Sequence, residues 1–327
     1  MRTYLLPFCL AFVLVACNSK TDISNFASEY VKPEIVFSIN ENDLIPEGIT
    51  YDPQSKQFFV SSINKHKIVS INADGRYNNF IESDTDDMSR CLGLKVDVKR
   101  RRLWAVSNNK TEGKNVSFVH IYNTDTKKLI KKFTAPAEEI YMLNDLAITQ
   151  DGGAYITDTR SGNLFTISPA LDEIKLFMRD SLIVQPNGIA LSPDNKLLYV
   201  ASGTKGILVV DLVSKSIKPI GNIMSINTSG IDGMVYYKNN LIGVINEQYE
   251  FTYIFKYKLS ADRREIIAAS IIDKDNPLFH VPTTCVADGD NLFVLASTSL
   301  DILITKQMDK KELLRNPMVL KYNLNNL

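Results

Sequence analysis

The stretch Ile45-Pro-Glu-Gly-Ile-Thr-Tyr-Asp52 decides the fold, because the chain repeats its pattern five more times. Each repeat has a polar or turn-forming start, then a small residue or Asp, then a short alternating strand. The five later copies are Cys91-Leu-Gly-Leu-Lys-Val-Asp97, Leu143-Asn-Asp-Leu-Ala-Ile-Thr149, Pro186-Asn-Gly-Ile-Ala-Leu-Ser192, Ile231-Asp-Gly-Met-Val-Tyr-Tyr237 and Thr283-Thr-Cys-Val-Ala-Asp288. A second strand is predicted after each copy: Gln57–Ser61, Arg102–Ser107, Ala154–Thr157, Leu197–Ala201, Leu241–Ile245 and Leu292–Ala296.

The spacing of these copies indicates the architecture. The equivalent positions, which we call the axial residues, are Glu47, Leu92, Asn144, Asn187, Asp232 and Thr284. Their separations are 45, 52, 43, 45 and 52 residues. A repeat of roughly 40–50 residues with about four short strands is typical of a propeller blade. The sequence therefore predicts an all-β fold, a six-bladed β-propeller.

The last repeat lacks one strand, and the N-terminus supplies a candidate for it. Cys285–Asp288, Leu292–Ala296 and Met318–Tyr322 provide three strands before the chain ends, while Glu34–Ile39 is a predicted strand that precedes the first repeat. Pairing these segments would close the ring and leave no open edge. We therefore expect one propeller domain over residues 34–327, with the N-terminal strand completing the last blade.

The axial residues carry the candidate chemistry, because the first strand of every blade lines the axis of a propeller. The six side chains that converge there are two carboxylates, two carboxamides, one Leu and one Thr. Four oxygen donors with two negative charges suit a hard divalent cation such as Ca²⁺. The sequence thus predicts a metal site formed by Glu47, Asn144, Asn187 and Asp232. The alternative is that the Asn-Gly and Asp-Gly pairs are simply turns.

Composition excludes several function classes. The chain has 327 residues, of which 45% are hydrophobic, and its 37 Lys and Arg residues balance its 37 Asp and Glu residues. This balance leaves no net basic charge that would suggest nucleic-acid binding. The sequence contains no HExxH, CxxC, P-loop or dinucleotide-binding motif. Zinc, iron–sulfur and nucleotide chemistry are therefore not expected.

The first residues have the features of a secretory leader. A positive start at Arg2 and an apolar run lead to Leu14-Val-Ala-Cys17, followed by polar residues. This ending resembles the box of bacterial lipoproteins, which predicts a signal peptide over residues 1–17, lipidation of Cys17 and a tether over residues 18–33. The protein would then be lipid-anchored in a bacterial cell envelope, periplasmic or surface-exposed. An ordinary cleaved signal with a chance Cys is the alternative.

Four more residues are candidates near the axis. Asp145 follows Asn144 and would brace it or line the channel itself, and Arg90 would either bind an anionic group of a substrate or balance nearby acids. Glu247 lies in the loop after a second strand, where it could flank the mouth of the axis as a substrate contact. His280 precedes Thr284 by four residues, so it is a candidate general base. A loop hydrogen-bonding role is the alternative for His280.

The pattern of axial residues resembles the gluconolactonase–regucalcin (senescence marker protein) superfamily, with weaker likeness to paraoxonase-like lactonases. The motifs that carry it are Glu47-Gly48, Asn144-Asp145, Asn187-Gly188 and Asp232-Gly233. The segment Cys91–Thr159 is also similar to the yellow/major royal jelly proteins. The resemblance implies a six-bladed propeller with Ca²⁺ or another divalent ion at its axis, and ligation of that ion by Glu47, Asn187 and Asp232. It also implies that Asn144 binds the metal or the substrate and that Asp232 doubles as the general base.

Two functions follow as hypotheses. The first is a metal-dependent hydrolase of a small lactone or ester, in which Asp232 or His280 takes the proton. The second is a non-catalytic propeller that binds a small ligand or a protein partner and holds a structural calcium ion. A fold alone does not decide between them.

Overall fold

The computed structural model describes residues 31–72, 74–111, 114–136, 141–246 and 251–326. Within these ranges, none of the helices combines the length and the apolar character that crossing a bilayer requires. The predicted leader and Cys17 lie outside the described residues, as does Glu247, so these predictions stay as they were made.

The described residues form 25 strands in six small sheets. In chain order the strands are β1 (Glu34–Ser38), β2 (Ile49–Asp52), β3 (Gln57–Ser61), β4 (Ile68–Asn72), β5 (Tyr77–Ile81), β6 (Arg90–Asp97), β7 (Arg102–Thr111), β8 (Lys114–Asn123), β9 (Leu129–Thr134), β10 (Leu143–Ile148), β11 (Ala154–Asp158), β12 (Asn163–Ile167), β13 (Ile174–Arg179), β14 (Pro186–Leu191), β15 (Leu197–Ser202), β16 (Gly206–Asp211), β17 (Ser216–Pro219), β18 (Gly221–Asn222), β19 (Ile231–Tyr237), β20 (Asn240–Ile245), β21 (Tyr253–Leu259), β22 (Glu265–Lys274), β23 (Cys285–Asp288), β24 (Asn291–Ser297) and β25 (Met318–Asn323).

These sheets are the six predicted blades. Blades one to four are β2–β5, β6–β9, β10–β13 and β14–β17, each with its strands in sequence order. Blade five is β19–β22, and β18 pairs in parallel with its outer strand β22. Blade six has the order β23-β24-β25-β1. The six-bladed β-propeller fold is therefore confirmed.

The ring closes as the sequence predicts. Strand β1 pairs antiparallel with β25, with Glu34 opposite Lys321 and Ser38 opposite Met318. The first strand of the described chain thus completes the sheet that contains its last three strands. Because this pairing joins the two ends of the propeller, it leaves blade six without an open edge at β25.

Close approach between inner strands explains the glycines of the repeat. A Cβ atom on Gly48 would lie 2.2 Å from the backbone oxygen of Leu92, and one on Gly93 would lie 2.5 Å from that of Asn144. Gly188 and Gly233 meet the next blade in the same way, at 2.7 and 2.5 Å. The position after the axial residue therefore needs Gly wherever the neighbouring backbone comes this near.

Apolar clusters fill the spaces between blades. Trp104 on β7 is fully buried and belongs to one cluster with Ile156 and Phe165 of blade three, so it packs between blades as expected. Cys91 and Cys285, which lie on the inner strands of different blades, are buried free cysteines. The blades are thus held together by side-chain packing at these positions.

The described chain contains little helix. An α-helix, α1 (Leu300–Ile304), follows β24, and short 3-10 turns cover Thr85–Asp87, Val98–Arg100, Lys311–Leu313 and Leu324–Asn326. The stretch Lys306–Arg315 is a loop apart from the 3-10 turn Lys311–Leu313. The helix α1 ends in hydrogen bonds from the N–H groups of Thr305, Lys306 and Gln307 to carbonyl oxygens of residues 301–303.

Candidate metal centre on the propeller axis

A pocket lies where the inner strands converge. It is bordered by five of the six axial residues together with six of their neighbours on β2, β6 and β10 and before β2: Glu47, Gly48, Ile49, Gly93, Leu94, Lys95, Asn144, Asp145, Asn187, Asp232 and Thr284. The pocket is narrow, with about 10 Å³ open to the centre of a water-sized sphere. The four side chains predicted to bind metal therefore line one pocket. Leu92 is absent from the lining and packs instead against the cluster between blades two and three.

Three carboxylates crowd this small space. Glu47 and Asp145 are each 7% exposed, and Asp232 is partly buried. Burial raises the pKa of Glu47 well above its usual value, and the negative charges of Asp232 and Asp145 raise it further. Burial also raises the pKa of Asp145, although Lys95 and the backbone N–H groups of Leu146 and Ile189 oppose the shift. The pocket thus disfavours the charged forms of its own acids.

Asp232 is held from both sides by amides. Asn187 Nδ2 donates to Asp232 Oδ1 at 2.7 Å, and Asn246 Nδ2 donates to Oδ2 at 2.6 Å. Asn246 also donates to the carbonyl oxygen of Pro282 at 2.9 Å, which ties the carboxylate to the loop before blade six. Burial raises the pKa of Asp232 to about 6, against the lowering effect of the two amides. The orientation of this carboxylate is therefore fixed before any ligand arrives.

Two acceptor atoms in the pocket have no hydrogen-bond partner. Asn144 donates through Nδ2 to Thr159 Oγ1 at 2.9 Å, which leaves Oδ1 buried and unpaired. Asp145 Oδ1 accepts from the N–H of Leu146 at 2.8 Å. The N–H of Ile189 also acts on this carboxylate, but Oδ2 is buried and makes no hydrogen bond of normal geometry. Buried polar atoms are nearly always paired in folded proteins. Two unpaired acceptors side by side on β10 therefore indicate that a donor or a cation belongs here.

Lys95 and Asn246 belong to this site and were not among its predicted residues, and Lys95 is the charged one. It lies on β6 three residues after Leu92, its side chain is 19% exposed, and its Nζ is 3.8 Å from Asp145 Oδ1. Its positive charge lowers the pKa values of both Glu47 and Asp145. A comparison of the six repeats at this position would have found it, because the other five residues there are uncharged.

The remaining candidates lie elsewhere. His280 is outside the pocket lining, with Nε2 3.3 Å from Asp301 Oδ1 and Nδ1 3.2 Å from Ser299 Oγ. Burial lowers its pKa, and the charge of Asp301 opposes that shift. Arg90 is exposed at the first position of β6, opposite Asn108, and is likewise absent from the lining. Their catalytic and substrate-binding roles stay predictions, while their surroundings match a loop hydrogen-bonding group and a surface residue.

The residues of the pocket fit a divalent cation. The donors are oxygens, and two of them are buried and unpaired. With all groups ionised, three carboxylates and one ammonium give a net charge of minus two, which one divalent ion neutralises. Among the described residues, no group of three or more His, Cys, Asp and Glu side chains forms a metal site by itself. The amide oxygens of Asn144 and Asn187 would therefore have to take part.

Comparison with known sequences places the chain in a family. The profile of the SMP-30/Gluconolactonase/LRE-like region matches residues 45–246, which is more than half of the chain. The chain belongs to this family. The matched region contains Glu47, Asn144, Asn187 and Asp232. No curated protein sequence shows significant similarity to the chain.

Solved structures share the fold at low identity. A gluconolactonase from Xanthomonas campestris superposes with a TM-score of 0.61 at 14% identity, over 88% of each chain. A luciferin-regenerating enzyme has a TM-score of 0.60 at 16% identity, over 90% of this chain and 96% of the other. Regucalcin from Agrobacterium tumefaciens, a calcium-binding protein, has a TM-score of 0.56 at 14% identity, over 90% and 93%. At these identities the likeness supports the fold alone.

Proposed function

We propose that this family member is a metal-dependent hydrolase of the lactonase or esterase type, with its reaction centre in the axial pocket. The observation that carries the proposal is the pair of buried, unpaired acceptors Asn144 Oδ1 and Asp145 Oδ2 beside two further carboxylates. Such a set of groups is costly unless a cation binds to it. Family membership and the gluconolactonases among its structural relatives support the lactone as the substrate class.

The residues that would hold the ion are Glu47, Asn144, Asn187 and Asp232, and we propose Ca²⁺ as that ion. The calcium-binding regucalcin among the structural relatives supports this choice. When bound, a divalent cation polarises a carbonyl oxygen and stabilises negative charge that develops on it. The amides of Asn187 and Asn246 keep the Asp232 carboxylate fixed, so that it can accept a proton from water at one of its oxygens.

Asp232 is better placed for this role than His280. Burial raises the pKa of Asp232 to about 6 in the metal-free protein, and a bound cation would lower it, so the choice rests on position: Asp232 lines the pocket and is oriented by two amides. His280 is a weaker choice because it lies outside the pocket lining and contacts Asp301 and Ser299. Among the described residues, Asp232 is therefore the proposed base.

A second candidate function is a non-catalytic propeller that binds a ligand or a protein partner around a structural ion. One observation favours it, namely the size of the pocket. The volume open to the centre of a water-sized sphere is only about 10 Å³, far below the roughly 300–1,000 Å³ of most small-molecule sites. A space of this size holds an ion or a water molecule rather than a whole substrate.

One experiment separates the two candidates. The metal content of the purified protein is measured together with turnover of a lactone and aryl-ester panel, for the wild type, Asp232→Ala and the control Asp309→Ala. Asp309 is exposed and lies outside the pocket. The hydrolase proposal predicts that Asp232→Ala loses the metal and at least about 100-fold in turnover, while Asp309→Ala keeps both.

The other outcomes are equally informative. A wild-type protein that holds the metal but hydrolyses none of the panel would favour the binding propeller. Metal content and turnover that do not change in Asp232→Ala would rule out the axial site. The cell-envelope location through a lipid on Cys17 also remains a proposal, which mass spectrometry of the membrane-extracted protein would test.

A further inference from the structure

The inner strands have a second equivalent position, three residues after the axial residue, where Lys95 is the single charged residue. The residues three positions after the axial residues are Thr50, Lys95, Ala147, Ala190, Val235 and Ala287. Thr50 Oγ1 accepts from the N–H of Val96 at 3.2 Å, and Ala147 packs in one cluster with Ile189. Only blade two places a charge at this position. The charge lies beside the axial pocket rather than in solvent.

Blade three, which Lys95 faces, has a negative charge at a position that is uncharged in the other blades. Directly after the axial residue, four blades have Gly and blade six has Cys285, but blade three has Asp145. Lys95 Nζ lies 3.8 Å from Asp145 Oδ1, and both side chains are largely buried. Asp145 Oδ2 stays unpaired in spite of this contact. Two neighbouring blades thus depart from the repeat by one charge each, with opposite signs.

We infer that Lys95 sets the charge selectivity of the axial site, so that the pocket prefers a divalent over a trivalent cation. This inference rests on the metal site proposed above. Glu47, Asp145 and Asp232 contribute three negative charges when ionised, and the Lys95 ammonium reduces the total to minus two. Without Lys95 the same oxygen donors would surround the ion with a charge of minus three, which suits a trivalent ion.

The size of the effect follows from Coulomb's law. Lys95 Nζ lies 3.8 Å from a carboxylate oxygen of the pocket. Removing a positive charge this close to the site would favour each additional charge on a bound ion by about tenfold or more at the effective dielectric constant of a protein interior. Both affinities would rise in the variant, and the affinity for a trivalent ion would rise further. The ratio of the two affinities therefore reports the charge of the pocket, even if both affinities change.

The test compares Ca²⁺ with Tb³⁺, two oxygen-binding ions of similar size. Their dissociation constants are measured by calorimetric titration for the wild type, Lys95→Met, Asp145→Asn and the double variant. Lys238→Met is the control, because it removes an exposed lysine from its surface pair with Asp290. Lys95→Met is expected to raise the preference for Tb³⁺ by about tenfold or more, and Asp145→Asn to lower it. The double variant should return to the wild-type ratio, and the control should not change it.

Each outcome decides a separate point. An unchanged preference in Lys95→Met, with both ions still bound, would overturn the role of Lys95 but leave the metal site standing. A double variant that stays far from the wild-type ratio would also overturn it, because Asp145 would then act as a ligand rather than as a charge. A wild type that binds neither ion would reject the proposed metal site itself. If Lys95→Met does not fold, Lys95→Gln and the single variant Asp145→Asn carry the same test.

Discussion

Buried aspartates occur both within the blades and at the axis of this propeller, and the two groups differ in their hydrogen bonding. Asp158, at the end of β11, is fully buried, and it accepts hydrogen bonds from the backbone N–H groups of Met142 and Arg160 and from Ser161 Oγ. Asp273 on β22 is equally buried and accepts from Asn276 Nδ2 and Tyr322 Oη. At the axis, by contrast, Asp145 keeps one oxygen without a partner.

The difference indicates which acids serve the fold and which serve a ligand. A buried carboxylate whose oxygens are all bonded connects pieces of backbone and needs nothing more. A buried carboxylate with an open acceptor, next to two others of the same charge, destabilises the protein until something positive arrives. Among the other unpaired buried atoms of the described chain, Asp301 Oδ1 is a carboxylate oxygen, and it lies 3.3 Å from His280 Nε2. The rest belong to neutral groups, such as the hydroxyl of Tyr257.

The largest effect is expected at Asp158. Asp158→Ala removes the acceptor for two backbone N–H groups and for Ser161 Oγ, and we expect it to lower the free energy of unfolding by roughly 3–5 kcal/mol. Urea denaturation measures this change. Asp309→Ala, at an exposed position, is the control and should change it by less than about 0.5 kcal/mol. If Asp158→Ala lost as little stability as Asp309→Ala, the hydrogen bonds of Asp158 would not stabilise the fold.

His120, a buried histidine in blade two, should make the stability of the protein depend on pH. Burial lowers the pKa of His120 to about 4, so the folded protein keeps this side chain neutral while the unfolded chain takes up a proton near pH 6.5. The stability that depends on neutral His120 is therefore complete above about pH 6.5 and is lost as the pH falls towards 4. The loss amounts to about 3 kcal/mol.

Urea denaturation between pH 4 and 7 checks this expectation. In His120→Gln the free energy of unfolding should fall less steeply between pH 6.5 and 4 than in the wild type. His66→Gln, at a half-exposed histidine on the surface, should keep the wild-type pH dependence. Parallel curves for the wild type and His120→Gln would show that His120 titrates at its ordinary pH in the folded protein.

The close contact of the inner strands keeps the axial acids together. Gly48→Ala would place a methyl group 2.2 Å from the backbone oxygen of Leu92, and because backbone cannot move aside easily, we expect a loss of about 2 kcal/mol. Gly203→Ala is the control, since the nearest atom to an added methyl group there is Gln185 Cβ at 3.3 Å, which is much less crowded. Equal unfolding free energies for the two variants would show that blades one and two tolerate separation.

The smallest expected effect is a gain in stability, at Glu47. In metal-free protein, Glu47→Gln removes a buried charge that Asp232 and Asp145 repel, and we expect a gain of about 1 kcal/mol at pH 7. Asp158→Asn in the same buffer should destabilise, because an amide NH2 group would replace the oxygen that accepts from Ser161 Oγ. Denaturation of both variants in the presence of a chelator measures the two signs. A destabilised Glu47→Gln would mean that its carboxylate already has a favourable partner within the protein.

The fold was predictable from the sequence because the blade is a local unit. Alternating strands and turn residues recur within each repeat, so strands such as Gln57–Ser61 are found at their predicted bounds. The closure by β1 was predictable by counting strands. The position of the axial residues followed from the ring itself, since equivalent positions of all blades meet at one place.

The remaining features depend on contacts between blades, which no local pattern contains. Lys95 looks like an exposed residue on an alternating strand, and only the position of Asp145 in blade three shows that it is largely buried. Asn246 supports Asp232 from a position fourteen residues away, at the end of a different strand. His280 is close to the axis in sequence, yet it contacts Asp301, which lies in the helix after β24.

Cation binding by the axial acids is tested by thermal unfolding of the protein with a chelator and with Ca²⁺. Binding at 100 times the dissociation constant stabilises a folded protein by about 2.7 kcal/mol, so Ca²⁺ should raise the Tm of the wild type by several degrees. Glu47→Gln should lose most of that rise, while Asp158→Asn should unfold at a lower temperature in both buffers and keep the full rise. A wild-type Tm that Ca²⁺ leaves unchanged, or an equal rise in Glu47→Gln, would contradict the claim that the axial acids await a cation.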